Sequence, residues 1–332
     1  MNTMKIVTMG GGTGTFPVVS ALKKLNVDIT AIVSVSDSGG STGRIRDEFG
    51  FQPVGDLRQS LAALADVKGQ EWIQKLLLYR FSKGEGLKGH NLGNLILTAL
   101  QDMTQNTTES LEIAEQVFNL HGSVIPVTES FVDLQINYTD GTTAIGEHIL
   151  DDEAKDGESM QPKKIASVSL VPPCTVNPPA QRALLEADFI IIGPGDLFAS
   201  LLATLVADDT KEIFSQVTGK IIYMSNLMTR VTQTHEMTAQ QHLEKIESTI
   251  GRPVDFVIIN NQEIPKNVLE KYALSNEFPV NDDLPETEKI VRAPLLLDQM
   301  IEKKDYDTSH RSLLRHDSEK LKQVFMKILT KA

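Results

Sequence analysis

The sequence predicts an α/β fold, a doubly wound and mostly parallel sheet with a small β subdomain inserted into it, and three observations carry that prediction. The first is the opening unit, in which an apolar strand, Lys5 to Met9, runs into Gly10-Gly11-Gly12-Thr13-Gly14 and the glycines open an amphipathic run, Phe16 to Leu25. The second is repetition. Greasy strands at 28–36, 188–192, 220–225 and 255–259 each end in Gly, Asp, Ser or Asn. Strands buried on both faces, with a polar ligand site along one sheet edge, require that contrast. The third is a change of period near residue 122, where Ser123 to Val127, Val132 to Tyr138 and Thr142 to Ile149 alternate between turn residues such as Asp140-Gly141. With the strand Lys164 to Leu170 these read as an inserted β-meander at 122–172, leaving 1–121 and 173–332 as a Rossmann-like body.

Composition bounds the rest. A chain of 332 residues, 41% hydrophobic and 23% charged, is an ordinary globular sequence with room for a sizeable core. The net charge of -12 argues against non-specific binding to DNA or RNA, so no nucleic-acid partner is expected. Cys174 is the only cysteine, which excludes an intramolecular disulfide and a Cys-based zinc site; in Val171-Pro-Pro-Cys-Thr it reads as a structural thiol. The first residues carry no signal-peptide pattern and no apolar run reaches the length of a membrane span, so a cytoplasmic protein without membrane insertion is expected.

Taken in order, the glycine stretch comes first. A helix N-terminus leaves backbone N–H groups unpaired and carries partial positive charge, so Gly10, Gly11, Gly12, Thr13 and Gly14 read as a phosphate cradle. No Lys-Ser or Lys-Thr pair follows, so this is not a P-loop. Gly10, Gly12 and Thr15 stand where the dinucleotide fingerprint wants three glycines, and no acidic residue clearly ends the second strand, which argues against a nicotinamide or flavin cofactor. A tight turn without a ligand is the plain alternative.

The second strand ends in Ser36-Asp37-Ser38-Gly39-Gly40-Ser41-Thr42-Gly43. Asp37 can accept from a ribose hydroxyl, hold a metal ion or simply make a turn, and Gly39, Gly40 and Ser41 join it as candidate ligand contacts. Gly55-Asp56-Leu57-Arg58 opens a helix through Leu61 and Leu64, and Asp56 either caps that helix or turns its carboxylate to the phosphate loop. Trp72 to Phe81 is helical. His90-Asn91-Leu92-Gly93-Asn94 then opens another helix, with Asn91 and Asn94 suited to an anion or a sugar hydroxyl; His90 is more simply a cap or surface residue. Asp151 to Pro162 is an acidic excursion from the meander.

A helix at Asn177 to Ala187 leads to the third strand–loop–helix unit, whose loop is Gly193-Pro194-Gly195-Asp196. Asn226 ends the fourth strand and Asn260 the fifth. Lys266 to Leu274, with Tyr272, is helical, and Lys289 to Val291 is a strand. Ser318 to Leu329 closes the chain as an amphipathic helix with Leu321, Val324, Phe325 and Ile328 on one stripe, capped by Asp317 or Ser318. A phosphate on Ser318, beside Arg315 at a helix start, would suit the helix dipole.

Together, Gly10-Gly-Gly-Thr-Gly14, Asp37-Ser-Gly-Gly-Ser-Thr-Gly43, Gly55-Asp56-Leu-Arg58, His90-Asn-Leu-Gly-Asn94, Gly193-Pro-Gly195, Asn226-Leu-Met-Thr229, Asn260-Asn-Gln-Glu-Ile-Pro265 and Arg315-His-Asp317 resemble the gluconeogenesis-factor family, often called YvcK. That family lies within the wider group of 2-phospho-L-lactate transferase-like (CofD) proteins. The resemblance covers nearly the whole chain. It implies a Rossmann-like body, a UDP-sugar ligand (typically UDP-N-acetylglucosamine), and a role in cell shape and cell-wall precursor supply during gluconeogenic growth. A regulator rather than a catalyst, a protein partner in the cell-wall pathway and a homo-oligomeric state are the accompanying expectations.

By position in the matching stretches, Tyr272 and Arg315 resemble the family's nucleotide-sugar contacts. The glycine loops would take the diphosphate, and Asp37 with Asn226 or Asn260 the nucleoside. The transferase branch instead moves a phospholactyl group from a nucleotide donor to a deazaflavin acceptor with a divalent cation. There the aspartate matching Asp56 contacts the acceptor, which makes Asp56 the candidate catalytic residue and Asp37 and Asp196 candidate ligands of Mg²⁺. Thr42 stands where Ser is common. Asp196 stands where the bacterial branch often has Ser, and it adds a negative charge near the proposed diphosphate.

Overall fold

The computed structural model describes residues 3–65, 67–152, 163–298 and 313–330. The chain starts in the middle of its main sheet. β1 (Met4–Gly10) leads into α1 (Gly12–Leu22), β2 (Val27–Val33), α2 (Gly40–Phe49), α3 (Gly55–Leu64), α4 (Val67–Leu78), α5 (Leu92–Thr104), α6 (Thr107–Val117) and β3 (Ser123–Pro126). An excursion follows: β4 (Asp133–Tyr138), β5 (Thr143–Ile145), α7 (Ile149–Asp152) and β6 (Ile165–Val171). The chain then returns through α8 (Pro178–Glu186), β7 (Phe189–Ile192), α9 (Thr210–Gln216), β8 (Lys220–Met224), α10 (Ala239–Ile250), β9 (Phe256–Asn260), α11 (Lys266–Ala273), β10 (Ile290–Ala293) and α12 (Ser318–Leu329).

Seven strands form one sheet in the order β10-β9-β8-β7-β1-β2-β3, and every neighbouring pair is parallel. The chain winds outward from β1 to β3, returns to lay β7 on the other side of β1, and winds outward again. This is the doubly wound Rossmann-like arrangement, and its switch point lies between β1 and β7. Met9 is in register with Ile192 there, so two loops more than half the chain apart in sequence leave the sheet side by side. Helices cover both faces, which is why Phe189 through Ile192 are all buried. Each such side chain contributes about 1.5–3 kcal/mol by leaving water.

The second sheet, β5-β4-β6, is antiparallel. On β4 the expected alternation holds: Leu134, Ile136 and Tyr138 face the core, which this sheet shares with the main body. Gln135 and Asn137 face the other way and bond each other at 2.9 Å. Arg46 of α2 anchors the excursion. Its guanidinium meets Asp133 at 2.7 Å, donates to the Val132 carbonyl at 3.1 Å and stacks 4.4 Å from the Phe131 ring centroid.

Several local expectations change in the structure. Ser123–Pro126 is no meander strand; it pairs in parallel with β2 as the edge of the main sheet. The strand expected at Thr142 to Ile149 shortens to Thr143–Ile145 and gives way to α7. The polar loop after β2 ends earlier than its composition suggests, because Gly40 already begins α2. The acidic excursion at 151–162 lies for the most part outside the described residues. The closing helix spans Ser318–Leu329 as expected, with Asp317 as its cap, donated to by the Glu319 and Lys320 amides. Cys174 is buried, which pushes its thiol pKa up and fits a structural role. Among the described residues no helix is long and apolar enough to cross a membrane.

Candidate functional site

The site is built where the loops after β1, β2 and β7 meet. Gly11 occupies the N-cap position of α1 without a side-chain cap. The first helical amide, Gly12 N–H, donates to the carboxylate of Asp56, which stands at the second position of α3. The structure thereby decides what the sequence left open. Val54 takes the N-cap position of α3, and Asp56 faces the phosphate loop instead of capping its own helix. The α1 N-terminus already holds an anion of the protein's own.

Close approach explains the glycines. A Cβ built on Gly11 would lie 2.7 Å from Ser200 Oγ and 2.8 Å from Asp56 Oδ2. One on Gly14 would lie 2.2 Å from the Pro194 carbonyl oxygen. Lacking those atoms, the β1 loop packs directly on α3 and on the β7 loop, and the three meet at the carboxyl ends of the strands. Gly10, Gly11 and Gly12 are buried, while Thr13 and Gly14 are half-buried.

On the β2 side, Asp37 makes an Asx turn, accepting from Gly39 N–H at 2.8 Å, and also accepts from the Thr42 hydroxyl. Asn94 Nδ2 reaches that hydroxyl at 3.5 Å, and its own Oδ1 is buried with no hydrogen-bond partner among the described residues. Asn91 caps α5, accepting from Asn94 N–H at 3.3 Å. Gly40 and Ser41 lie in the first turn of α2, and the Ser41 side chain falls outside the described part.

Two carboxylates on this side are hard to ionise. Burial, only partly offset by the Gly39 and Thr42 hydrogen bonds and by Arg58 and Arg46, raises the pKa of Asp37. Burial together with the charge of Asp37 pushes Asp56 up to about 7, against the opposing effects of the Gly12 amide and Arg58. Arg58 sits behind the pair, donating to the carbonyls of Leu77 and Gly55 at 3.4 and 3.5 Å. His90 is half-buried, and burial with the nearby charge of Arg44 lowers its pKa.

Across the switch point, the unit expected to be strand, loop and α-helix departs from that pattern. After Gly193-Pro194-Gly195 the chain makes a π-turn, Leu197–Leu201, in which the Ser200 and Leu201 amides both donate to the Asp196 carbonyl, at 2.9 and 3.0 Å. Such widened turns are frequent beside functional sites. Asn226, just beyond β8, ties itself to this loop through Nδ2 and the Gly195 carbonyl at 2.7 Å, and its Oδ1 is buried with no partner among the described residues. Asp196 meets Arg230 at 3.4 Å, and Arg230 also meets the buried Glu277 at 3.3 Å.

The remaining candidates lie further along the sheet edge. The Asn260 side chain is engaged locally: Oδ1 accepts from the Gln262 and Leu295 amides at 3.2 and 3.0 Å, and Nδ2 donates to the Gln262 carbonyl at 2.9 Å. Tyr272 is a buried residue of a small apolar cluster with Met228, Ile264, Val268, Leu296 and Leu314. Its hydroxyl oxygen accepts from the Leu313 and Leu314 amides at 2.8 and 3.1 Å. That fixes the segment carrying half-buried Arg315, whose carbonyl accepts from Leu297 N–H at 2.9 Å. Tyr272 therefore supports the segment bearing Arg315 rather than presenting an open ring. Buried His316 sits beside Arg315, and burial lowers its pKa to about 3.

The charges of Asp37 and Asp196 both raise the pKa of Asp56, yet among the described residues no group of three His, Cys, Asp or Glu is arranged to hold a metal ion. Sequence reasoning missed Arg230, Glu277, Ser200 and the role of Thr42. The signal for Arg230 was its place in the turn after a strand that ends in Asn226.

With this geometry in hand, the comparisons are specific. The family model described as 2-phospho-L-lactate transferase CofD matches residues 6–301. The gluconeogenesis factor of Bacillus subtilis is 34% identical over 328 residues, covering 98% of this chain and 98% of that protein. The gluconeogenesis factor of Listeria innocua is 31% identical over 327 residues, covering 98% and 95%. A crystal structure of a UPF0052-family protein from Bacillus halodurans aligns with a TM-score of 0.86 at 32% identity, over 98% of this chain and 99% of that one.

Proposed function

This chain belongs to the CofD family and is similar to gluconeogenesis factors over nearly its whole length, and from that premise we propose that it is a UDP-sugar-binding regulator, with UDP-N-acetylglucosamine as its ligand. The observation that carries the reading is a pair of buried amide oxygens, Asn94 Oδ1 and Asn226 Oδ1, which have no hydrogen-bond partner among the described residues and lie on opposite sides of the switch point. Buried acceptors without partners cost about 1–3 kcal/mol each, and ribose, sugar or uracil donors would satisfy them. Asp37, beside Thr42 and Asn94, supplies a further acceptor for ribose hydroxyls. The diphosphate lies over the β1 and β7 loops, and Arg315 closes on it from the segment that Tyr272 supports.

Occupancy is read by a protein partner of the cell-wall pathway. A ligand shifts that equilibrium only through its different affinity for the two states. The protein acts in the cytoplasm as a homo-oligomer and supports cell shape during gluconeogenic growth. Calorimetry with UDP-N-acetylglucosamine is the test: saturable heat at micromolar to low millimolar ligand is expected, and its absence would sink the reading.

One observation favours a second reading, a nucleotide-dependent phospholactyl transferase. Asp37 and Asp56 crowd each other with Arg58 set behind them, and a divalent cation such as Mg²⁺ would relieve that crowding. Asp37 with Asp196 would hold the cation, and donor phosphate oxygens and water would complete its shell. The cation would stabilise negative charge on the oxygens of the transferred phosphoryl group and on the departing nucleotide, while Asp56, near 7, can take the acceptor hydroxyl's proton. Turnover of a nucleotide donor that Asp56→Asn abolishes would favour this reading over the first.

A further inference from the structure

Arg230 lies in the turn that follows β8, and two contacts tie that turn to the phosphate side of the cleft: Asn226 Nδ2 to the Gly195 carbonyl at 2.7 Å, and Arg230 to Asp196 at 3.4 Å. We propose that Arg230 is the specificity-determining cation for an anionic ligand on the Gly193–Asp196 loop. Its transfer from Asp196 to the ligand links that loop to the segment carrying Arg315. The identity of the ligand rests on the UDP-sugar reading, whereas the link is a property of the protein alone.

Three features assign Arg230 this role. The first is access. Arg46 is committed to Asp133, and the Arg58 guanidinium is buried and turned to carbonyls behind the first loop. The Arg230 side chain, which reaches Asp196 on the β7 loop, retains 16% of its surface exposed. The second is exchangeability. Its contacts with Asp196 and Glu277, at 3.4 and 3.3 Å, are longer than the roughly 2.7–2.9 Å of a tight charge-assisted bond. Asp196 is itself a third exposed, so it can return to water when a phosphate takes the guanidinium fork.

The third feature is transmission. Glu277 keeps only 4% of its side-chain surface and depends on charge compensation from Arg230. Its amide donates to the Tyr272 carbonyl at 3.1 Å, and the Tyr272 hydroxyl holds the Leu313 and Leu314 amides next to Arg315. Asp196, Arg230, Glu277, Tyr272 and Leu314 thus form a continuous path from the β7 loop to the C-terminal segment. Its two arrangements differ in which anion Arg230 holds.

The experiment has two arms. In the first, UDP, UDP-N-acetylglucosamine and uridine are titrated calorimetrically into the wild type, Arg230→Lys, Arg230→Gln and Asp196→Asn. Arg230→Gln should weaken UDP binding about 10- to 100-fold and leave uridine within about twofold, with Arg230→Lys between. Asp196→Asn, which removes the competing carboxylate, should tighten UDP several-fold. A merely structural role would not produce that opposite sign. Equal losses for UDP and uridine in Arg230→Gln, or weaker UDP binding in Asp196→Asn, would overturn the assignment.

In the second arm, hydrogen exchange is followed at the Leu313 and Leu314 amides of the ligand-free proteins, with β1 amides as the internal reference. Arg230→Gln should accelerate exchange at these two sites about tenfold relative to β1. Unchanged relative rates would overturn the link. Should the wild type bind neither UDP nor UDP-N-acetylglucosamine, the UDP-sugar reading fails, and the link is still decided by amide exchange. If Arg230→Gln does not fold, Asp196→Asn and Arg230→Lys decide the first arm, and Arg230→Lys decides the second.

Discussion

On the β1–β2 side of the cleft, Asp37 and Asp56 crowd together with Arg58 turned mostly to backbone carbonyls. On the β7–β8 side, Asp196 is met by Arg230, which the buried Glu277 also holds. The first side changes its charge near neutral pH, because burial and mutual repulsion bring Asp56 up to about 7. The second pairs its charges at contact distance. The same helix-end and strand-end chemistry has therefore produced one side that titrates and one whose cation is shared between two carboxylates. A phosphate arriving at the α1 N-terminus must contend with a resident carboxylate, whereas one arriving at the β7 loop finds a guanidinium ready to change hands.

The comparison can be broken most severely where the two sides touch. Gly14→Ala would place a Cβ 2.2 Å from the Pro194 carbonyl oxygen, a backbone atom that no side-chain rotation can move away. A loss of about 3 kcal/mol is expected from such overpacking, measurable as a large fall in the urea midpoint. A wild-type midpoint would mean that the two loops can part freely.

Next in size is Tyr272→Phe on the second side. Removing the hydroxyl leaves the Leu313 and Leu314 amides without that acceptor, at a cost of about 2 kcal/mol. Thermal melts should show the loss, and the affinity for UDP-N-acetylglucosamine should fall with it. Unaltered stability would show that those amides find another partner.

Asp56→Asn sharpens the contrast from the first side, with the opposite sign. Burial and the Asp37 charge favour the protonated acid in the folded chain, so the folded pKa of about 7 lies above the ordinary 3.8. The folded state then binds more protons than the unfolded state between these values, and stability is lost as pH rises from 4 through 7. Asparagine still accepts from Gly12 and carries no charge. The variant should be more stable than wild type by about 4 kcal/mol at pH 8 and nearly indistinguishable near pH 4, by melts across that range. A gain that does not depend on pH would show that charge is not its source. Because the resident carboxylate opposes a phosphate, wild-type affinity for UDP should also fall as pH rises through 7.

The smallest effect is expected away from both sides. Lys24 and Glu319 form a surface pair at 2.7 Å between α1 and α12, with Glu319 63% exposed. Glu319→Gln should leave the denaturation midpoint nearly unchanged, and any small shift should shrink in high salt. A larger loss in chemical denaturation would reveal that the α1–α12 contact depends on this pair.

Much of the fold could be read along the chain, and particular elements show why. The strand at 188–192 and the helix at 318–329 declare themselves through local period, since an all-apolar run and a 3.6-residue stripe each imply burial on known faces. Ser123–Pro126 misled because a short alternating strand looks alike in a meander and at the edge of a parallel sheet. The role of Asp56 was undecided because a carboxylate two residues into a helix resembles a cap until its partner is known. Arg230 was overlooked because neither residue it joins, Asp196 nor Glu277, lies near it in sequence.

The sequence by itself determined where strands turn into glycine and asparagine loops, which stripes are apolar, and that a lone cysteine makes neither an intramolecular disulfide nor a Cys-based zinc site. Those features depend on neighbours within a few residues. Only the tertiary structure decided that β7 lies beside β1 and that Gly12 gives its amide to Asp56. It alone also decided that Arg230 bridges two carboxylates and that Tyr272 supports the Arg315 segment. Strand order and side-chain partners are set by how helices and crossovers fill a shared core, an interaction among residues far apart in the chain that no local pattern encodes.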